Sequence, residues 1–355
     1  MEKLLRTSSI YDILKKAKQG ERLSFDDGVR LFRSNDILHI GHIANIIRER
    51  KNGNKAYYIT NRHINYSNIC KNRCKFCAFS RDKEESGSYA MAMEEILEKA
   101  VSAVEEGATE LHIVGGLHPD LPFDFYVKMI GEIHECCPDV HIQAFTAVEI
   151  EHLSQIAKLP VRQTLKILKE AGLGSLPGGG AEVFSPEIRE QLCPEKLSGE
   201  GWLQVMSEAH NLGLHSNATM LYGHVETPED RVNHLIKLRD LQDETGGFLS
   251  FIPLAFHPKN TDLSNRSGTT AMLDLKVISI SRLMLDNFDH IKAFWIMLGI
   301  KLSQVSLSFG VDDIDGTVKE EKITHAAGAE TPEALSVQEI VSLIKEAGRE
   351  PVERD

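Results

Sequence analysis

Short runs of β-branched and aromatic residues, stopped by Gly, Pro, His, Asn or Asp, alternate along this chain with longer stretches of helical period. This is the pattern of stacked strand–helix units. It predicts strands at Ala56–Tyr66, Glu110–Val114, Val140–Phe145, Gly174–Leu176, His215–Leu221, Phe248–Leu254, Ile291–Ile296 and Gln304–Ser308. Helices are predicted between them at Met93–Glu106, Phe123–Cys136, Glu149–Lys158, Val161–Ala171, Gly201–Leu212, Pro228–Glu244 and Thr270–Asp286. Eight strands with a crossover after each of the first seven suggest an α/β fold of the (β/α)8 TIM-barrel type; an open doubly wound sheet shares the pattern. Residues 1–54 read as an N-terminal helical extension, 55–317 as the barrel core, and 318–355 as a C-terminal helical tail packed on one barrel end. In the tail, Ser336 is placed to cap a helix that Gly348 stops.

Composition narrows the classes. The 355 residues are 42% hydrophobic and 26% charged, ordinary for a globular protein. A formal net charge of −12, with no Lys/Arg cluster, argues against nucleic acid as a partner. No signal-like apolar core opens the chain, and no run of about 18 apolar residues occurs, so a cytoplasmic protein without membrane insertion is expected. Without a secretory context, the six cysteines suggest reduced thiols rather than a disulfide framework. Cys136, Cys137 and Cys193 are dispersed and read as small buried hydrophobes.

The other three form CKNRCKFC, with Cys70, Cys74 and Cys77 directly after a predicted strand. One loop with this spacing can hold three irons of a cubane and leave the fourth without a protein ligand. A structural zinc site would close with four ligands, and no second Cys pair of suitable spacing exists. On the strand before this loop, Asn61, His63 and Asn65 fall at period two and share one face, which makes the lumen polar below the loop if that face points inward. His118, His257 and Arg282 are further candidates for meeting an anionic group; for Arg282, within a helix, a surface salt bridge is expected.

Cys-x3-Cys-x-aromatic-Cys, with Phe76 in the aromatic place, resembles the radical S-adenosylmethionine (SAM) superfamily. The resemblance implies a [4Fe–4S] cluster on the three cysteines, its open iron chelated by the amino and carboxylate groups of SAM, and reductive cleavage of SAM to methionine and a 5′-deoxyadenosyl radical. It also implies a reducing partner such as flavodoxin or ferredoxin. Gly115 and Gly116 then match the segment whose backbone receives the methionine amino group, although Leu117 and His118 follow where an acid is common. TMLYGHVE matches a further motif: Leu221 would pack on adenine, Gly223 and Glu226 are retained, and Thr219 replaces the first glycine. In SLPGGGAEVF, Glu182 beyond three glycines is placed to accept hydrogen bonds from ribose hydroxyls.

Longer phrases, among them NRHINYSNICKNRCKFCAFSR, LPGGGAEVF, LQDETGGFLSFIPLAFHP and LSFGVDDIDGT, are similar to the radical enzymes of the futalosine route to menaquinone. PLAFHP and THAAGAETPEALS are more similar to the aminodeoxyfutalosine synthase family than to the dehypoxanthine futalosine cyclases. The resemblance implies that SAM is a co-substrate. Its adenosyl group adds to the enol ether of 3-[(1-carboxyvinyl)oxy]benzoate, the aryl group migrates, and a carboxylate carbon is lost. That substrate carries two carboxylates, so hydrogen-bonding or cationic groups are expected around it, with His63, His118 and His257 as the proposed donors.

Overall fold

The computed structural model describes residues 8–354; residues 1–7, the start of the predicted extension, lie outside the described residues. Three helices come first: α1 (Tyr11–Gln19), α2 (Phe25–Arg33) and α3 (Ile37–Asn52). A capping box between Ser24 and Asp27 starts α2, which buries Val29, Leu31 and Phe32.

The predicted first strand is two strands, β1 (Lys55–Ile59) and β2 (Asn61–Ile64), broken at Thr60. The barrel continues through α4 (Met93–Glu105), β3 (Glu110–Ile113), α5 (Phe123–Cys136), β4 (His141–Ala144), α6 (Ala147–Ala157), α7 (Val161–Ala171) and β5 (Ser175–Leu176). Then come α8 (Pro186–Leu192), α9 (Gly199–Asn211), β6 (His215–Tyr222), α10 (Pro228–Thr245), β7 (Phe248–Ala255), α11 (Ala271–Met284) and β8 (His290–Ile291). Strands β2 to β8 pair in chain order and all run parallel, as TIM-type crossovers require. Their outward residues, such as Leu111, Ile113, Ile142 and Ala144, are fully buried against the helices. Inward residues at alternate positions line the lumen.

Gln304–Ser308, predicted as the eighth strand, is not one. Residues 304–306 end helix α13 (Ile300–Ser306), which follows α12 (Trp295–Leu298). The eighth place in the ring is taken by residues 312–319, which include β9 (Asp313–Gly316). Ala293 N–H donates to Asp313 O at 2.8 Å on one side, and His63 N–H donates to Lys319 O at 2.9 Å on the other. The sequence VDDIDGT looks like a solvated loop, but Asp312, Asp313 and Asp315 are buried and met by Arg282, Arg354 and Lys292. Paired charge lets these aspartates be buried beside the core residues Val311, Ile314 and Val318.

Beyond the ring lie α14 (Ile323–Ala326) and α15 (Val337–Glu346). Helix α15 begins at the Ser336 cap, boxed with Glu339, and Gly348 after it has φ 74°. The chain ends in a strand the pattern did not predict, β10 (Glu350–Glu353), which joins β1 and β9 in a small second sheet. Among the described residues no helix is long and apolar enough to cross a membrane.

Candidate active site

The loop after β2 is tied down by its own polar residues. Asn65 Nδ2 donates to Val114 O, Ser67 Oγ to Tyr89 O, and Asn68 Nδ2 to Gly87 O. Backbone bonds then fix the cysteines: Cys70 N–H to Arg81 O, Lys71 N–H to Leu117 O, and Cys77 N–H to Cys74 O. All three thiols are half-buried and unbridged, and they line one cavity of about 330 Å³ at the C-terminal ends of the strands. Phe76, Gly115, Gly116, Glu182, Leu221, His63 and His257 line the same cavity. Thus most of the residues singled out from sequence converge there.

Three do not. Glu226 stands behind the wall: its fully buried carboxylate accepts from Gly223 N–H (2.6 Å), His224 N–H (2.9 Å) and Arg231 Nε (2.7 Å). It and Gly223 (φ 91°) shape the turn that carries Leu221. His118 also lies outside the lining; its Nδ1 accepts from Asp120 N–H, and its carbonyl is bonded to His152 Nε2. Arg282 is not a surface residue but is completely buried against Asp312.

Gly116 has the structural reason to be glycine. A Cβ there would meet Ile69 O at 2.3 Å and Cys70 Cβ at 3.0 Å, so backbone and cysteine loop touch directly. Gly115 N–H donates to Glu149 Oε1 (3.0 Å), which also accepts from Tyr66 Oη (2.8 Å). Burial pushes the Glu149 carboxyl up from its ordinary value, against the hydrogen bonds it accepts. Glu149 is the N3 residue of a capping box with Thr146. That signature was in the sequence; its link to Gly115 was not.

Glu182 holds φ 48° and pairs with Lys196 Nζ at 2.6 Å. Burial alone would raise its carboxyl, but Lys196 draws it below the ordinary value. Lys196 also lies 5.3 Å over the Phe76 ring, putting a cation in the wall beside the cysteine loop. No sequence pattern marked it. Lower in the lumen, His63 stacks on His112 with centroids 4.4 Å apart. Burial, and then the proximity of His112, push the His63 ring well below its ordinary pKa, so it is neutral at pH 7. His257 Nε2 is bonded to Met297 O at 2.9 Å.

The donor set can be tested against the group its spacing implies. Among the described residues no three His, Cys, Asp or Glu side chains stand close enough to hold a single metal ion. Three thiols around an open cavity suit a larger, multi-iron unit with an open face rather than a closed zinc site. The residues present fit a cluster.

Comparison with known proteins agrees. Residues 64–238 match the radical SAM superfamily model, and residues 245–355 match the CofH/MqnC C-terminal region. Over 355 residues the chain is 46% identical to aminodeoxyfutalosine synthase of Thermus thermophilus, covering 99% of this chain and 95% of that protein. The chain belongs to the radical SAM superfamily. Radical SAM enzymes use a [4Fe–4S] cluster and SAM, and this enzyme therefore uses both. A second relative, 41% identical over 85% of this chain and 83% of its own length, is the 5-amino-6-(D-ribitylamino)uracil–L-tyrosine 4-hydroxyphenyl transferase of Methanopyrus kandleri. Among solved structures, methylornithine synthase superposes with a TM-score of 0.77 over 96% of this chain and 97% of its own. At 19% identity that likeness speaks for the fold alone.

Proposed function

We propose that this radical SAM enzyme is an aminodeoxyfutalosine synthase of menaquinone biosynthesis. It would join the 5′-deoxyadenosyl group of SAM to 3-[(1-carboxyvinyl)oxy]benzoate, giving 6-amino-6-deoxyfutalosine with release of methionine and of the carboxylate carbon as CO2 or bicarbonate. The observation that carries this reading is the full-length 46% identity to a synthase of that name. The cavity supports it, since one lumen runs from the cysteine loop past Leu221 to a polar floor.

In this proposal Cys70, Cys74 and Cys77 hold the cluster, which, when reduced, supplies the electron that cleaves SAM. The backbone at Gly115 and Gly116 takes the methionine amino group, Leu221 packs on adenine, and Glu182, kept ionised by Lys196, accepts from ribose hydroxyls. Phe76 shields the cluster side of the cavity. His63 and His257 face the substrate, while His118 is left out because it stands outside the lining. Gly223 and Glu226 act by shaping the turn below Leu221. The electron donor is flavodoxin or ferredoxin. The domain division proposed is 1–54, 55–317 and 318–355.

Two other readings compete. The 41% relative from Methanopyrus favours 4-hydroxyphenyl transfer from tyrosine, and the sequence phrases shared with the dehypoxanthine futalosine cyclases make radical ring closure the other alternative. Anaerobically reconstituted, reduced enzyme is given SAM and the enolpyruvyl benzoate, and product masses are read. An adduct that retains the adenosyl group and has lost one carboxylate carbon supports the synthase. Release of 5′-deoxyadenosine without that adduct, from an intact cluster, overturns it.

A further inference from the structure

Below the level of Leu221 the lumen continues downward. On β6, Leu221, Thr219 and Asn217 face the cavity in alternation, so Asn217 lies about 13 Å lower at ~3.3 Å per residue. The floor at that depth is formed by Asn61, His63, Glu110, His112, Lys292 and Asp315.

Several floor groups are already engaged. His112 Nδ1 is bonded to Gln143 Oε1 at 2.9 Å, and Asn61 Oδ1 accepts from Val318 N–H at 2.8 Å. Arg354, which does not line the cavity, meets Asp313 at 2.8 Å and Asp315 at 3.8 Å, and the charge of Lys292 adds to it at Asp313 and acts on Glu110. Lys292 is different. It is 4% exposed, and among the described residues its Nζ comes within 4 Å of one carboxylate, that of Asp315, at 3.7 Å, beyond hydrogen-bond distance. His63, 7% exposed, has no hydrogen bond from either ring nitrogen among the described residues. Both line the cavity. A buried ammonium with unfilled donors is costly unless a ligand accepts from it.

We infer that Lys292 and His63 bind a carboxylate of the substrate at the floor of the lumen, with the Asn61 amide beside them. The inference rests on the synthase reading. That reading keeps the reacting double bond at the level of the adenosyl group, so the group reaching the floor is the ring carboxylate. The ammonium supplies charge, and the neutral imidazole supplies one N–H. Glu110 shares the floor and would repel the ligand without Lys292, which makes this lysine a specificity determinant as well as an anchor.

The test crosses an enzyme change with a ligand change in the reconstituted holoenzyme. Wild type and Lys292→Met are titrated with the dicarboxylate and with its analogue lacking the ring carboxylate. The variant should bind the dicarboxylate about ten- to hundredfold more weakly, ~1.4–2.8 kcal/mol at 1.4 kcal/mol per decade. It should bind the analogue as wild type does, with SAM affinity and the cluster's electron paramagnetic resonance signal unchanged. Equal affinity of both proteins for the dicarboxylate, or an equal loss for both ligands, overturns the assignment. If Lys292→Met does not fold, wild type alone decides: losing the ring carboxylate should cost tenfold or more, and equal affinities overturn it. Product mass separates the two claims. Wild type that cleaves SAM but forms no adduct sinks the synthase reading, whereas adduct formation without a Lys292 effect sinks only the floor site.

Discussion

Replacing Arg282 by Met should destabilise the barrel by about 3–5 kcal/mol, because it removes the buried guanidinium from the Asp312 carboxylate and leaves it, among the described residues, only His290 Nδ1 and the Ile291 N–H. Both side chains of the Arg282–Asp312 pair are 0% exposed. Arg282 also donates through Nε to Gly310 O (2.9 Å) and through Nη1 to Asp289 O (3.0 Å). Asp312 accepts from Ile291 N–H at 2.9 Å, so the pair joins α11 to β8 and to the strand that closes the ring. With about 2.1 cal/mol/K of unfolding entropy per residue, a chain of 355 residues loses ~1 kcal/mol for every ~1.3 °C of melting temperature. The expected drop is therefore about 4–7 °C, read by anaerobic calorimetry of the reconstituted enzyme. Arg282→Met combined with Asp312→Leu should recover much of it, since no charge is then stranded. A single variant melting within ~1 °C of wild type would refute the argument that paired charge lets the closing strand's aspartates be buried.

Other consequences are open to measurement. Gly116→Ala should lower iron and sulfide per chain after reconstitution, because its Cβ meets Ile69 O at 2.3 Å; Gly131→Ala, with nothing within 4 Å, should not. Glu226→Ala leaves the Gly223 and His224 amides and Arg231 without their shared acceptor, so SAM affinity should fall while iron content stays constant. His325 is raised from 6.5 to about 9 by its hydrogen bond to Glu321. A raised histidine stabilises fully below its unfolded value and loses that contribution as pH rises through about 9. Protease cleavage within 318–335 should therefore increase from about pH 7 to about pH 10, and the step should vanish in His325→Gln.

The parts legible in sequence were those in which local chemistry and tertiary role coincide. Strands β3 to β7 combine apolar outward residues with turn punctuation, and CKNRCKFC brings its own spacing. The closing strand failed that test. Its buried aspartates are stabilised by Arg282, Lys292 and Arg354, 23 or more residues away in the chain, so no window around VDDIDGT contains the reason for its burial. Lys196 was invisible for the same reason: its partner Glu182 lies across a helix. Conversely, TMLYGHVE was found by motif, yet the structure divides it between Leu221 in the wall and Glu226 behind it. A motif records which residues occur together, not which of them touch the ligand.

The last forty residues or so serve the two ends of the barrel unequally. At the base, Arg354 is one-fifth exposed and faces buried Asp313 and Asp315, so breaking that contact strands charge. Over the mouth, Glu321, Ile323, Thr324 and Ala327 line the cavity. This segment is tied across by Asn260 Nδ2 to Ala326 O at 2.9 Å and by Lys259 to Glu330, a pair 63% and 83% exposed. Such an exposed pair contributes only ~0–1 kcal/mol. Lys322 N–H on Asn65 Oδ1 (3.1 Å) and Thr331 Oγ1 on Ile296 O (3.2 Å) add to these ties, so hydrogen bonds rather than buried charge fasten the segment over the mouth. Within the segment His325 Nδ1 is bonded to Glu321 O at 2.7 Å and Nε2 to Thr331 O at 3.2 Å, so losing the proton as pH rises through about 9 removes one of these donors and loosens the segment itself.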